Sequence, residues 1–249
     1  MSGPMPALLV AGRELRSTFL QPLAWVVLTA LWFFTGLSFW SVVSISGVYS
    51  LPAIEMQRAL FTATLFWLPL LVALPVIAMR LIAEERQTGT IETLLTAPIT
   101  ENQVALGKFL AGLGFFLVLL TPFPIYLGLL ARFGEVDLGA AMAGLLGMVL
   151  VGGFFLAAAV CASALTRNQI VAAIVGFVAV LSLYVAPLFG SQLAQSGPWN
   201  TVWTHLNLLD TLDTFAKGVV STRRALYPVS GIVFFVFATA RLIEISKGK

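Results

Sequence analysis

Apolar residues are gathered into six long blocks, near 23–46, 60–79, 109–131, 138–165, 170–189 and 226–243. Each is about as long as a helix needs to cross a hydrocarbon core of roughly 30 Å. None carries Lys, Arg, Asp or Glu at its middle. The pattern predicts an all-α integral membrane protein with six transmembrane helices. Ahead of the first block, Leu8, Ala11, Leu15 and Phe19 recur at helical spacing, with Arg13, Glu14 and Arg16 between them. Residues 6–20 therefore predict an interfacial helix, or failing that a short cytoplasmic tail. Gln21-Pro22 then turns the chain into the bilayer.

The basic residues give an orientation. With the N-terminus inside, the inner flanks hold Arg13, Arg16, Arg80, Arg86, Lys108, Arg167, Arg241, Lys247 and Lys249, while the two short outer loops hold Arg58 and Arg132. That bias predicts N-in, C-in. The last outer loop, residues 190–225, adds Lys217, Arg223 and Arg224, and the rule weakens for a loop that long. Within it Leu208, Leu209, Leu212, Phe215, Ala216 and Val219 form an apolar stripe between Asp210, Asp213 and Lys217. This predicts an extracytoplasmic helical hairpin lying in or dipping into the outer face, with Trp199 and Trp203 at the interface.

Composition agrees. The chain has 249 residues, 59% hydrophobic and 10% charged, with a mean hydropathy of +0.97. A soluble domain carries roughly 25% charged residues. The net charge of +3 is what membrane flanks require, so no nucleic-acid partner is implied. Cys161 and His205 each stand alone, which leaves no disulfide and no metal site. No ionisable residue marks a proton path, which argues against a proton-coupled pump. The sequence has no Gly-x-x-x-x-Gly-Lys-Ser/Thr loop, no His-x-x-x-His, no Gly-x-Ser-x-Gly and no intramembrane Asp pair. The expectation is a non-enzymatic chain with no catalytic residues and no cofactor of its own.

Within the spans, the fourth is rich in small residues, including Gly144, Gly147, Gly152 and Gly153, which fit either a sliding interface or static packing. Pro69 and Pro75 in the second span, and Pro122 and Pro124 in the third, predict kinks. Phe66, Trp67, Phe177 and Tyr184 are candidates for lining a cavity, or equally for facing lipid and neighbouring helices.

The most informative stretch joins the second and third spans, residues 84–100. Charged Glu84, Glu85 and Arg86 extend the second span past the membrane, and Gly89 permits a turn. A short helix over 90–96 follows, with Ile91, Leu94 and Leu95 apolar and Glu92 polar, and Pro98 ends it. Thr100 and Gln103 make a capping-box pattern that starts the third helix. A short helix held between two spans is a lever. A partner gripping Ile91, Leu94 and Leu95 would move both spans together, and a solvated connector is the alternative.

Glu-Glu-Arg-x-x-Gly-Thr-x-Glu-x-Leu-Leu-x-x-Pro over 84–98, followed by Leu106-Gly107-Lys108, resembles the signature loop of ABC type-2 permeases, most closely the gliding-motility-associated, GldF-like branch. Thr166-Arg167-Asn168-Gln169 and the 215–223 stretch match in order. The resemblance implies a single permease domain over 1–249, in a bacterial cytoplasmic (inner) membrane. It implies a second permease chain, identical or related, around a central pathway, and two copies of an ABC ATPase subunit that bind ATP and Mg. An auxiliary subunit with a large extracytoplasmic domain belongs to the same picture. Residues 90–96, from Thr90 on, would be the coupling helix, seated in a groove of the ATPase, with Glu84, Glu85, Arg86 and Glu92 fixing the register. Glu84, Glu85 and Arg86 would form part of a polar relay, and the hairpin near 206–220 would cap the exit.

Gln21-Pro22 departs from the family's usual Ser-Pro, Thr93 from a usual Leu, and Ser221-Thr222-Arg223-Arg224 from Asp-x-Arg-Asp. The function expected is export driven by a separate ATPase. A non-transporting anchor or mechanical subunit of a surface complex shares every one of these features.

Overall fold

The computed structural model describes residues 5–49, 51–88, 100–132, 134–194 and 197–247. Among them every regular element is a helix. Helix α1 (Met5–Leu20) runs to a bend at Gln21, and Pro22 opens α2 (Pro22–Tyr49). Proline suits that first helical position because its missing N–H would have no intrahelical partner there. Helix α3 (Ala53–Thr62) ends at Ala63, where the backbone leaves the helical region with φ −57° and ψ 118°. Helix α4 (Thr64–Thr88) continues at once. The indole N–H of Trp67 donates to the Phe61 carbonyl at 2.9 Å, satisfying a group that the break frees.

Thr100 and Gln103 then form the expected capping box, each side chain serving the other's backbone, and start α5 (Glu101–Leu119). The chain breaks again at Leu120 and Thr121 before α6 (Pro122–Leu130). Asp137 caps α7 (Leu138–Ser163) and Asn168 caps α8 (Gln169–Leu193). Two short helices follow, α9 (Pro198–Leu206) and α10 (Leu208–Ala216), before α11 (Thr222–Lys247).

Among the described residues six stretches are long and apolar enough to cross a membrane: Pro22–Gly47, Ala53–Gln87, Glu101–Leu130, Leu138–Ser163, Gln169–Leu193 and Thr222–Ile245. They match the six blocks of the sequence, with two refinements. The second stretch is α3 and α4 joined across the break at Ala63, so residues 60–62 belong to α3, and the third is likewise two helices. Pro122 sits at a true helix break, whereas Pro69 and Pro75 lie inside an unbroken α4.

Helix α7 is the axle of the bundle. In its span 72% of residues are buried, against 22% in the spans of α8 and α11. Its glycines accept aromatic rings from the helices around it. A Cβ on Gly144 would fall 2.5 Å from the Phe61 ring, and one on Gly147 would fall 2.8 Å from Phe215. One on Gly152 would enter the ring of Phe116. In return Phe154 of α7 fills the notch at Gly231 of α11. Within the protomer the small residues are therefore filled sockets, the static alternative of the two read from sequence. With no apolar solvent exclusion between helices in lipid, such close packing is a main source of cohesion.

Buried hydroxyls are neutralised locally: Thr35, Ser38 and Ser46 of α2 each donate to the carbonyl four residues earlier. The outward faces of α2, α8 and α11 are left apolar, with Phe33, Trp40, Ile174, Val178, Phe234 and Phe237 exposed. An exposed apolar surface this extensive is what lipid or another membrane chain covers.

Candidate functional site

Two polar clusters occupy opposite ends of the bundle. The first brackets the 89–99 segment, which joins α4 to α5. Gly89, Thr90, Ile91, Glu92, Leu94, Leu95 and Pro98 lie outside the described residues, so the coupling helix read from sequence gains no geometry here. Its flanks do. Lys108, on the second turn of α5, is fully buried. Its ammonium lies 2.7 Å from Glu85 of α4 and 3.7 Å from Glu14 of α1, and it also donates to the Leu81 carbonyl. Arg13 closes the cluster, 2.9 Å from Glu14 and 4.0 Å from Glu85. Two cations thus face two carboxylates, and three helices are joined.

The close approach that makes this possible comes from Gly107. A Cβ there would lie 2.8 Å from the Ala7 carbonyl oxygen and from Val10, so α1 can press against α5 only over a glycine. Glu84, next to the cluster, is half-buried.

Arg86 points the other way. Its guanidinium donates to the carbonyl of Ala164, the residue that caps the C-terminal end of α7, and to that of Leu242 in α11 at 3.0 Å. Carbonyls at a helix C-terminus lack intrahelical donors and carry partial negative charge, so a cation there is doubly favoured. One turn earlier, the Ser163 hydroxyl accepts from the Ala83 amide at 3.1 Å and donates to the Met79 carbonyl at 3.3 Å. Arg80 donates to the side chain of Gln21 at the α1–α2 bend. The C-terminal part of α4 is thereby bonded to α5, α7, α11 and the α1–α2 bend.

Sequence reasoning identified Glu84, Glu85 and Arg86 but not the partners. Lys108 was read as a flanking cation and Glu14 as part of the polar face of α1. The available signal is the glycine directly before the lysine, which announces a close approach without naming the neighbour.

The second cluster lies at the far end. The Gln57 side chain of α3 is fully buried and mimics a backbone strand: its amide donates to the Asp137 carbonyl at 3.0 Å and accepts from the Asp137 amide at 3.1 Å. Arg58 binds Asp213 of α10 at 2.5 Å, and Lys217 binds the same carboxylate at 2.7 Å. Gly218, at φ +82°, ends α10 in the left-handed region open to glycine and rests on Ala140. Between them lies an open cleft of about 220 Å³ lined by Glu55, Arg58, Asp137 and Lys217.

Burial pushes the Asp213 carboxyl up, but the hydrogen bonds and charges of Arg58 and Lys217 outweigh it and leave it below its ordinary value. Neighbouring Asp210 is raised, chiefly by burial. A carboxyl whose folded value is depressed contributes stability that is complete above its unfolded value and is lost as pH falls through the folded one. Asp213→Asn is therefore expected to loosen α10 at neutral pH by about 1 kcal/mol, the scale of a half-exposed pair. Hydrogen exchange over 208–216 should be roughly five-fold faster in the variant. The wild type should approach it only on acidification below about pH 4. Equal exchange at neutral pH would show that the pair does not hold α10.

Of the four aromatic candidates for a cavity, two lie inside the bundle and two on a partly open helix. Phe66 and Trp67 are fully buried, packed on Phe123 and Phe155. Phe177 and Tyr184 are half-buried on α8, with the Tyr184 ring 6.3 Å from Phe155. Among the described residues no group of His, Cys, Asp and Glu is arranged to hold a metal ion.

A family model described as "ABC-2 family transporter protein" matches residues 20–183, more than half of the chain. The matched region runs from the end of α1 through most of α8 and contains both flanks of the 89–99 segment. Among curated proteins, none matches the chain.

Proposed function

The chain belongs to the ABC-2 transporter family, as a multi-pass membrane permease component of an ABC transporter, and from that premise we propose that it couples ATP hydrolysis by a separate ATPase subunit to export. Residues 90–96 serve as the coupling helix, with Ile91, Leu94 and Leu95 as its apolar grip. The ATP and Mg are bound by two copies of the partner, and a second permease chain completes the pathway. The gliding-associated branch remains the finer assignment, and the N-in, C-in orientation puts the 89–99 segment in the cytoplasm of a bacterial cell, under the inner membrane. Phe177 and Tyr184, on the half-exposed α8, are the better-placed candidates to meet a substrate.

One observation carries this reading. The two helix ends that flank the segment are bonded to each other and to their surroundings: Glu85 through Lys108 to α5 and, with Arg13 and Glu14, to α1, and Arg86 to the end of α7 and to Leu242 of α11. A push on the segment is delivered to three further helices at once. A bundle packed ring-into-notch answers such a push by moving whole helices rather than by deforming locally.

The test is sidedness together with association. In a Cys161→Ser background, Thr90→Cys should react with a membrane-impermeant maleimide only in inside-out vesicles. The unlabelled chain should co-purify with a nucleotide-hydrolysing subunit. Labelling of Thr90→Cys from the outside, or failure to associate with any such subunit, would sink the proposal.

A further inference from the structure

Helix α1 has two faces. One is spent on the bundle: Ala7, Val10 and Ala11 are buried, and Leu15 packs over Gly114 of α5. The other lines an open groove of about 590 Å³. Leu8, Leu9 and Leu20 stand at its two ends and are 60%, 72% and 77% exposed. Its middle is polar, with Arg13, Arg16 and Ser17 around Gly12, and a Cβ on Gly12 would meet nothing within 4 Å. Arg13 shares Glu14 and Glu85. Arg16 has no ion-pair partner among the described residues.

We propose that this groove binds the headgroup of an anionic phospholipid in the leaflet where α1 lies. Two guanidinium groups beside an open notch, with a hydroxyl next to them, suit a phosphate diester, which planar guanidinium forks bind well. The flanking leucines suit acyl chains. The level in the membrane is set by the chain itself: α1 turns at Gln21 directly into the first span. The indole N–H of Trp25, just past that turn, donates to the Phe19 carbonyl at 2.9 Å while its ring stays exposed, as interfacial indoles do. A helix with cations on a partly apolar exposed face, at leaflet level, takes anionic lipid in preference to zwitterionic lipid.

The site also touches the coupling cluster. A headgroup that draws Arg13 away leaves Lys108 alone against Glu14 and Glu85. Anionic lipid thereby loosens the joint between α1 and the end of α4. This regulatory consequence rests on the coupling function proposed above, whereas the binding itself does not.

The full chain, purified in zwitterionic detergent with equal amounts of phosphatidylcholine and phosphatidylglycerol, is assayed for retained lipid by mass spectrometry. The wild type should retain phosphatidylglycerol preferentially. Arg16→Gln should lower that enrichment about five-fold, the effect of one basic residue near an anionic surface. Because Arg16 makes no ion pair among the described residues, the variant should fold normally. Arg241→Gln, at an exposed arginine on α11, should leave the enrichment unchanged. Equal retention of the two lipids, full enrichment in Arg16→Gln, or an equal loss in Arg241→Gln overturns the assignment. So does displacement by inorganic phosphate, which would make the groove a plain anion site. Loss of ATPase association in Arg16→Gln with lipid retention unchanged would make it a protein contact instead. The lipid readouts use neither the ATPase nor the 89–99 segment, so their failure leaves the coupling test standing, and the reverse holds too.

Discussion

Lys108→Met is expected to cost the folded protein about 3–5 kcal/mol, the scale seen when one member of a buried ion pair is removed. Methionine keeps the length and flexibility of the stem, so packing changes little and the loss is electrostatic. Glu85 and Glu14 would be left facing each other with only Arg13 near, their side chains 17% and 13% exposed. The Leu81 carbonyl would also lose the lysine's hydrogen bond. The penalty comes mostly from the abandoned carboxylates and not from any net strength of the pair itself, so removing one of them should help. Glu85→Gln added to Lys108→Met should recover a substantial part of the loss, which additive effects could not produce. Thermal unfolding of the detergent-solubilised chain supplies the measurement for Lys108→Met, Glu85→Gln and the double variant. A Lys108→Met midpoint equal to the wild type would mean that solvent reaches the cluster and that it does not fasten α1 and α4 to α5.

The six spans were legible because lipid imposes the simplest pattern a chain can carry: uninterrupted apolar runs of fixed length, with cations outside them. The capping box at Thr100 was legible for a similar reason, since both of its partners lie within one turn. The two polar clusters were not legible. Glu14, Glu85 and Lys108 are spread over three helices, and Gln57, Asp137 and Asp213 over three more. Nothing in local periodicity says that a lysine before an apolar run is an interior residue. Gly107 was part of a recognised motif, but its physical task, admitting α1 against α5, depends on a contact with residues 7 and 10.

The glycines of α7 illustrate the same limit. Small residues in a span announce close contact but not its occupant, and the occupants here are rings from α3, α5 and α10. The breaks at Ala63 and at Leu120 are hidden for another reason: Leu60 and Phe61 at the end of α3, and the whole of α6, continue the apolar runs of α4 and α5, so hydropathy passes through both breaks.

Leu94→Asp is expected to leave insertion and folding of the chain intact while separating ATP hydrolysis from transport. In the sequence, residue 94 falls between the second and third apolar blocks, so the bilayer is not expected to oppose the charge. Its cost falls on the partner's groove. Burying a leucine side chain contributes about 1.5–3 kcal/mol, and putting a carboxylate in its place adds a desolvation penalty. A loss of at least about 2 kcal/mol corresponds to roughly thirty-fold weaker association with the ATPase. Glu92→Arg inverts a charge at the rim of the same contact and should act more on pairing specificity and assembly rate than on affinity. With the grip gone, the Lys108 cluster and the Arg86 bonds still hold the two flanking helix ends, but nothing moves them. Hydrolysis by the partner then proceeds at a rate indifferent to substrate, and export stops. Reconstituted vesicles containing both subunits report the two quantities separately. A Leu94→Asp variant that assembles normally and exports at the wild-type rate would remove residues 90–96 from the coupling path. The force would then have to enter the bundle elsewhere, with the groove of α1 the next surface to try.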